Sequence, residues 1–522
     1  MTFIFNAGYL IRRILLVSLG LLLLTTCIRR EDENNVNLPH IIVILADDLG
    51  YGDLEVYNPG SKIPTPNLNA LAASGMRFTD AHSPSSVCTP TRYGILTGRY
   101  AWRTALKKSV LWAWDKPLIE DDRVTLPKTL KGVGYQTACI GKWHLGWRWP
   151  ANTGGFINDD IAMGDYNLEG RNELWHNIDF TKQLGGGPLA AGFDYYFGDD
   201  VPNFAPYAFI ENDRLLNIPD TIKPNGIFGG PGPMVTGWDL AEVMPAITQN
   251  AMKYIREQAS KESPFFLYFP LTAPHTPIAP AEEFIGKSTA GRYGDYVHQV
   301  DYTVGQILQV LEQTGQLENT IVIFTSDNGS PQRDGENMAG KVGSVKAFGH
   351  DPSYPLRGTK SDIWEGGHRV PLIVSWPDKI DPGQVTNQLF GLNDLMATLA
   401  GLIGIEAGSE FKDSEDLSEV LLTHPNQPIR DHLIHHSIQG MFSIRKGPWK
   451  LIAGKGSGGW SANTTENDAP GQLYNLDDDL GETTNLYNEY PEIVEELLAL
   501  LGKYQDQGFS NSRFRGLHAA ED

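Results

Sequence analysis

Four apolar runs, each ending in a cluster of polar residues, constrain the fold of this chain more than any other feature. Ile41 to Ala46 runs into Asp47-Asp48, and Tyr135 to Ile140 into Gly141-Lys142-Trp143-His144. Phe265 to Phe269 precedes Ala273-Pro274-His275-Thr276-Pro277, and Ile321 to Thr325 precedes Ser326-Asp327-Asn328-Gly329. Short runs rich in β-branched and aromatic residues read as buried strands. Helical patterns lie between them. Thr65-Pro66 opens one that carries Leu68, Leu71 and Ala72 before Gly75, and Ala246 to Ala259 makes a second. Val297, Val300, Val304, Ile307, Leu308 and Leu311 form an apolar stripe that Gly315 ends. This alternation predicts an α/β fold, a large mixed sheet flanked by helices on both faces. Open sheets of this kind bind ligands beyond the C-terminal ends of their strands, where these carboxylates, lysine and histidines fall.

Past about Leu402 the pattern changes. Phe442 to Ile452 reads as a hairpin, Gln472 to Leu476 as another strand, and Pro491 to Tyr504 as an amphipathic helix with Ile493, Val494, Leu497, Leu498 and Leu501 inward. The expected division is a main domain over 38–402 and a smaller C-terminal subdomain over 403–522, an antiparallel sheet plus helix. Residues 151–233, rich in Gly, Asn, Asp and aromatics, are expected to form long loops around the mouth of a site. His432, His435 and His436 lie on an expected strand of the subdomain and read as packing and surface.

The first 26 residues read as a signal peptide: Arg12 and Arg13 precede an apolar run from Ile14 to Leu24, too short to span a bilayer. The expected destination is outside the cytoplasm, in a bacterial periplasm or at the cell surface. Leu24-Thr25-Thr26-Cys27 resembles a bacterial lipobox, which implies a lipid on Cys27 and anchoring to a membrane through it; an ordinary cleavage site is the other reading. Residues 27–37 then read as a polar tether. A net charge of -21 argues against nucleic acid as a partner. Any anionic ligand must therefore meet a local cluster of Lys, Arg and His.

Cys88 begins the run Cys88-Thr89-Pro90-Thr91-Arg92-Tyr93-Gly94-Ile95-Leu96-Thr97-Gly98. Pro90 suits the first turn of a helix and Gly98 the position past its end, so Cys88 is placed at a helix N-terminus, where free N–H groups favour an anion. The chain has three cysteines, Cys27, Cys88 and Cys139, and cannot pair them all. Cys139, between Ala138 and Ile140, reads as inert core. Asp47, Asp48, Asp327 and Asn328 offer hard oxygen ligands of the type that suits calcium or magnesium.

The run from Cys88 to Gly98 resembles the signature of the type I sulfatases, in the alkaline phosphatase superfamily, and Gly141-Lys142-Trp143-His144-Leu145-Gly146 resembles their second signature. The resemblance covers nearly all of Leu38 to Tyr504. It implies that a formylglycine-generating maturation enzyme oxidises Cys88 to formylglycine, whose hydrate attacks sulfur and carries a covalent sulfated intermediate. It implies one calcium ion held by Asp47, Asp48, Asp327, Asn328 and residue 88. By the same resemblance Lys142 holds sulfate, His144 takes a proton from the hydrate, and His275 stands near the leaving oxygen. Lys360 is the late sulfate-contacting lysine, and Arg92 stabilises formylglycine and the metal environment. Lys346 and His350, just before Lys360, are further candidates to reach substrate. Of Trp112, Trp114, Trp147 and Trp149, most are expected in the core, with one or two left to stack on sugar rings. The implied activity is hydrolysis of sulfate esters on a polysaccharide or its oligosaccharides. The rival readings are a formylglycine-dependent phosphodiesterase or phosphonate hydrolase, and a non-catalytic glycan-binding lipoprotein on the same fold.

Overall fold

Ten strands build the main sheet of the computed structural model: β1 (His40–Ala46), β2 (Met76–Phe78), β3 (Gln136–Ile140), β4 (Tyr195–Gly198), β5 (Ile210–Glu211), β6 (Arg214–Leu215), β7 (Phe265–Pro270), β8 (Thr320–Ser326), β9 (Leu372–Ser375) and β10 (Gln384–Thr386). Their order is β10-β2-β9-β8-β1-β7-β3-β4-β5-β6. The five central strands β8, β1, β7, β3 and β4 are parallel, with Ile41 opposite Phe266 on one side and Ile321 on the other. Antiparallel pairs β8/β9, β9/β2, β4/β5 and β5/β6 make the sheet mixed. The structure describes residues 38–165, 169–331, 345–406, 408–425, 427–462 and 469–512, and residues 39 onward form one unit. The expected signal peptide, Cys27 and the tether lie outside the described residues.

Parallel strands need crossovers, and the crossovers cover both faces, which is why the central strands run apolar over consecutive positions, as in Ile41–Ala46 and Ile321–Phe324, rather than at alternate ones. Of the helices α1 (Pro66–Ala73), α2 (Cys88–Thr97), α3 (Val243–Gln258) and α4 (Gly291–Gln313), three share one face. Leu68 of α1, Ile247 and Ile255 of α3, and Val300, Val304 and Ile307 of α4 pack with Ile42, Ile44, Leu267 and Phe324 of the sheet. α2 lies on the opposite face, where the Arg92 charge acts on Tyr268 and Cys139. Cys139 is fully buried, as its neighbours suggested.

The C-terminal sheet is an antiparallel meander of β11 (His432–His436), β12 (Phe442–Lys446), β13 (Trp449–Ile452) and β14 (Gln472–Asn475), covered by α5 (Pro491–Asp506). Val494, Leu497, Leu501 and Tyr504 of α5 pack on Ile434, Ile444, Leu451 and Leu473, and Tyr100 and Trp102 join the same cluster. The meander starts at His432. The stretch between the expected boundary at 402 and that strand packs beneath α2: Tyr100 N donates to Asp413 (3.0 Å), and Asp413 pairs with Arg103 (2.8 Å). Residues 151–233 are not all loop, because β4, β5 and β6 extend the main sheet from within them. These strands are too short to show a sequence period; pairing against a preformed edge defines them.

Candidate active site

β8, β1, β7 and β3 are neighbours and parallel, so the segments following them emerge side by side. They carry Asp327-Asn328, Asp47-Asp48, His275 and Lys142-His144 to one place. Cys88 opens α2 there, 2% exposed, and Gly98 ends the helix in the left-handed conformation (φ 59). Gly141 makes the close approach possible: at φ +125 its Cβ would lie 1.9 Å from the Pro270 carbonyl oxygen. Asp48 and His144 also have positive φ (68 and 55), uncommon for residues with side chains and concentrated where a site over-determines the backbone.

The charged groups form a buried network. Lys142 Nζ donates to both oxygens of Asp47 (2.9 and 2.7 Å), and Lys360 Nζ to both of Asp48 (2.6 and 2.8 Å). Arg92 donates from Nε and Nη2 to Asp327 Oδ2 (3.0 and 2.7 Å) and from Nη1 to the Lys142 carbonyl (3.0 Å). Asn328 Nδ2 donates to Asp48 Oδ1 (2.8 Å), while its buried Oδ1 has no hydrogen-bond partner. Burial alone would raise the Asp48 pKa, but Lys360 and His275 outweigh it and hold the carboxyl below its ordinary range. Burial, reinforced by the Asp47 charge, pushes Asp327 up despite Arg92. All the oxygens are hard donors, and an orphaned carbonyl oxygen among three carboxylates fits a calcium or magnesium ion rather than zinc.

The two histidines are wired differently. His144 Nε2 lies 2.9 Å from the Leu111 carbonyl, which fixes that nitrogen as the N–H donor and leaves Nδ1, buried and without a partner, as the basic atom. His275 places Nδ1 against the Thr276 carbonyl and Nε2 3.7 Å from Asp48 Oδ2. Burial, followed by the lysine charges, holds both imidazoles well below the usual histidine range. Burial pushes the Cys88 thiol up as well, against the pull of Lys142 and Lys360, so unmodified Cys88 is a neutral thiol and a poor nucleophile.

Most sequence-predicted residues thus meet. His350 does not join them: its side chain is buried with Nε2 on Asp53 (2.8 Å) and Nδ1 accepting from Lys62 N (3.3 Å), which leaves no ring nitrogen for substrate. Lys346 pairs with Asp351 (3.5 Å). His432, His435 and His436 are all buried rather than at the surface; His432 stacks on Tyr504, and His435 on His368. Trp114, Trp147 and Trp149 are core, whereas Trp112 lines the pocket.

Sequence reasoning missed Asp199 and Asp200. The His144 N–H donates to Asp200 Oδ1 (3.1 Å), and burial raises Asp200 to about 6 and Asp199 to about 7. The signal was present, since Asp199-Asp200 follow β4 just as Asp47-Asp48 follow β1, but it lay inside the stretch read as loop. Also missed were Phe204, whose ring is 5.6 Å from Trp112 and 5.8 Å from His144, and Arg171, paired with Asp115 (2.8 Å) in the wall. These surround a cavity of ≈ 1430 Å³ with Asp48, Cys88, His144, His275 and Lys360 among its lining residues.

Residues 39–405 match the sequence profile of the Sulfatase family. The chain is 30% identical to the N-acetylgalactosamine-6-O-sulfatase of Bacteroides thetaiotaomicron, over 94% of this chain and 98% of that protein. It is 33% identical to arylsulfatase A of Bos taurus, over 88% and 85% of the two chains. A solved 6S-sulfatase chain from work on glycosaminoglycan metabolism by Bacteroides thetaiotaomicron superposes with a TM-score of 0.76 at 29% identity, covering 90% of this chain and 99% of that one. The PsFucS1 sulfatase from Pseudoalteromonas sp. gives 0.68 at 26% identity, over 91% and 92%. With Cys88, the acidic pairs and the histidines gathered at one end of such a sheet, this chain belongs to the sulfatase family.

Proposed function

We propose that this sulfatase removes sulfate from a glycan, and that 6-O-sulfated N-acetylgalactosamine in an oligosaccharide is the first substrate to test. The relatives named for that sugar supply the candidate, and the cavity supports it. At ≈ 1430 Å³ the pocket exceeds the usual range for a drug-sized ligand, about 300–1,000 Å³, and so has room for more than one sugar ring over Cys88.

The reaction proposed uses Cys88 as formylglycine, supplied by a maturation enzyme; its hydrate would offer two hydroxyls, one to attack sulfur while giving its proton to the Asp327 carboxylate, which burial makes more basic, and one to release sulfate afterwards. Asp47, Asp48, Asp327 and Asn328 would hold a calcium ion with residue 88, and that ion would supply Lewis-acid polarisation of the sulfate group. Lys142 and Lys360 present ammonium groups to the sulfate oxygens, and Arg92 fixes Asp327 and the Lys142 backbone. The negative charge of the bound sulfate would favour the imidazolium form of His275, from which Nε2 would donate its proton to the departing sugar oxygen, leaving residue 88 as a sulfate ester. His144 then accepts at Nδ1 the proton of the remaining hydroxyl, the aldehyde carbonyl reforms, and the carbon–oxygen bond to sulfate breaks. The 1–37 segment is proposed to direct export, with Cys27 as the lipid acceptor if the lipobox is read.

Incubating the enzyme with defined sulfated oligosaccharides, and locating the lost group by NMR, tests the substrate. Sulfate release from the 6-position of a terminal N-acetylgalactosamine is expected, with loss of activity on chelation and recovery with calcium. Turnover confined to phosphate diesters, with every sulfated saccharide untouched, would overturn the proposal.

A further inference from the structure

The C-terminal sheet reaches the pocket through the connection after β13, which brings Gly459 and Trp460 to the wall beside Lys360. That connection is clamped onto the residues following Lys360. Trp460 N donates to Ser361 Oγ (2.9 Å), and Ser461 donates from N and Oγ to Asp362 (3.1 and 2.5 Å). Ile363 N donates to the Ser457 carbonyl (2.8 Å), and Ser457 Oγ accepts from Gly459 N (3.1 Å). Gly459 lies so near Ser361 that a Cβ would come within 2.5 Å of its carbonyl, so only glycine permits this contact.

The clamp holds one side chain out. Trp460 is 48% exposed, and among the described residues it is the one tryptophan in the exposed class. An indole held on a fixed backbone at the rim of a pocket offers a large rigid apolar face with little conformational entropy to lose on binding. Phe204 and Trp112 also line this pocket, the Phe204 ring lying 5.6 Å from that of Trp112 and 5.8 Å from that of His144.

We infer that Trp460 is a stacking platform for a second sugar ring, the neighbour of the sulfated one, so that the C-terminal subdomain selects oligosaccharides over monosaccharides. This rests on the glycan reading above. Stacking a pyranose ring on the indole would make the affinity for chain length depend on Trp460, while Phe204 and Trp112 serve the sulfated ring whatever its length.

The test compares Trp460→Ala, Trp460→Phe and the unaltered protein on a sulfated monosaccharide and on a tetrasaccharide carrying the same terminal sulfated sugar. The ratio of kcat/KM for tetrasaccharide over monosaccharide should fall about tenfold in Trp460→Ala, through KM, with Trp460→Phe keeping most of the preference. Melting temperatures close to that of the unaltered protein would establish that the variants are folded. An unchanged ratio, or a loss carried wholly by kcat, would overturn the role of Trp460. No turnover of any sulfated saccharide by the unaltered protein would instead overturn the glycan reading itself.

Discussion

Two buried ionic clusters in this protein use the same residue types. At the pocket floor, Asp47, Asp48 and Asp327 face Lys142, Lys360 and Arg92. Where the C-terminal sheet meets the main one, Asp80, Glu365 and Glu482 face Arg369, Arg445 and Lys450: Asp80 pairs with Arg445 (2.7 Å) and Arg369 (3.2 Å), and Lys450 with Glu365 (2.9 Å) and Glu482 (2.8 Å). Each cluster has three acids and three bases, each includes histidines, and each holds carboxyls off their ordinary pKa. What separates them is access. Asp48 and Lys360 line a cavity and can exchange a partner for a ligand, whereas in the second cluster Glu365, Glu482 and Lys450, with His82, His368 and His435, are sealed from solvent and only its outer members Asp80, Arg369 and Arg445 keep a slight exposure. Perturbed groups mark a functional site only where something can reach them.

The comparison breaks most easily at residue 88. Cys88→Ala should lower kcat by at least about a thousandfold, the scale of removing a nucleophile, and leave the melting temperature close to that of the unaltered protein, because no ion pair depends on it. Peptide mass spectrometry of active enzyme should show formylglycine at this position. Full activity with an intact thiol would remove the chemical distinction between the clusters.

Removing one acid from each cluster is the next test. Asp327→Ala leaves buried Arg92 with only its longer ion pair to Asp47 (3.4 Å), and Glu365→Ala leaves Lys450 to Glu482 and Arg369 to Asp80; removing one partner from a buried ionic cluster costs up to about 3–5 kcal/mol in either case. Chemical denaturation should show both losses. Sulfatase assays on the folded fraction should separate them, with Asp327→Ala inactive and Glu365→Ala active per folded molecule. Equal activity losses would mean that the sealed cluster serves catalysis after all.

How far the sequence anticipates this arrangement follows from where its signals lie. The strands carrying Asp47, Asp327, Lys142 and His275 are long apolar runs whose polar ends stand out, so their convergence was legible. Asp199-Asp200 were hidden because Tyr195–Gly198 has only four residues and is defined by pairing with Cys139 and Ile140. The sealed cluster was not legible either: Asp80 and His82 are hundreds of positions from Glu365, His368, His435 and Lys450, and no local spacing joins them. His350 misled for the opposite reason, lying near Lys360 in sequence while its ring turns to Asp53.

A smaller effect separates the histidines within the pocket. Removing a general acid costs about 10²–10⁴ in rate, and less where the leaving group departs unaided. His275→Ala should therefore hurt sugar sulfates more than activated aryl sulfates. His144→Ala should hurt both and accumulate a sulfate-sized mass increment on the protein, since Nδ1 is the atom left free to drive sulfate release. Equal losses with no adduct in either variant would refute this division.

The smallest expected effect lies in the sealed cluster and concerns acid. His82 Nδ1 is 3.1 Å from His368 Nδ1, and His435 stacks on His368 with centroids 4.0 Å apart, so three imidazoles share one dry space. Burial, and for His368 and His435 the nearby Lys450, holds all three below the ordinary value of 6.5. A histidine with a depressed folded-state pKa carries no penalty above its unfolded value. As pH falls below 6.5 the unfolded chain takes up a proton that the folded chain refuses, and stability declines by up to about 1.4 kcal/mol per pH unit per group until the folded pKa is reached. Carboxyls such as Asp394 and Glu482, each raised by burial to about 7, titrate in the opposite sense, so the total slope does not isolate the histidines. The difference between the unaltered protein and His435→Phe does, because that variant keeps a ring against His368 and deletes one protonation. Its deficit in unfolding free energy should be constant from pH 8 to 6.5 and shrink by up to about 1.4 kcal/mol per unit below that. A deficit that stays constant down to pH 5 would mean that His435 takes up protons equally in both states, and that the sealed cluster is not as dry as its burial implies.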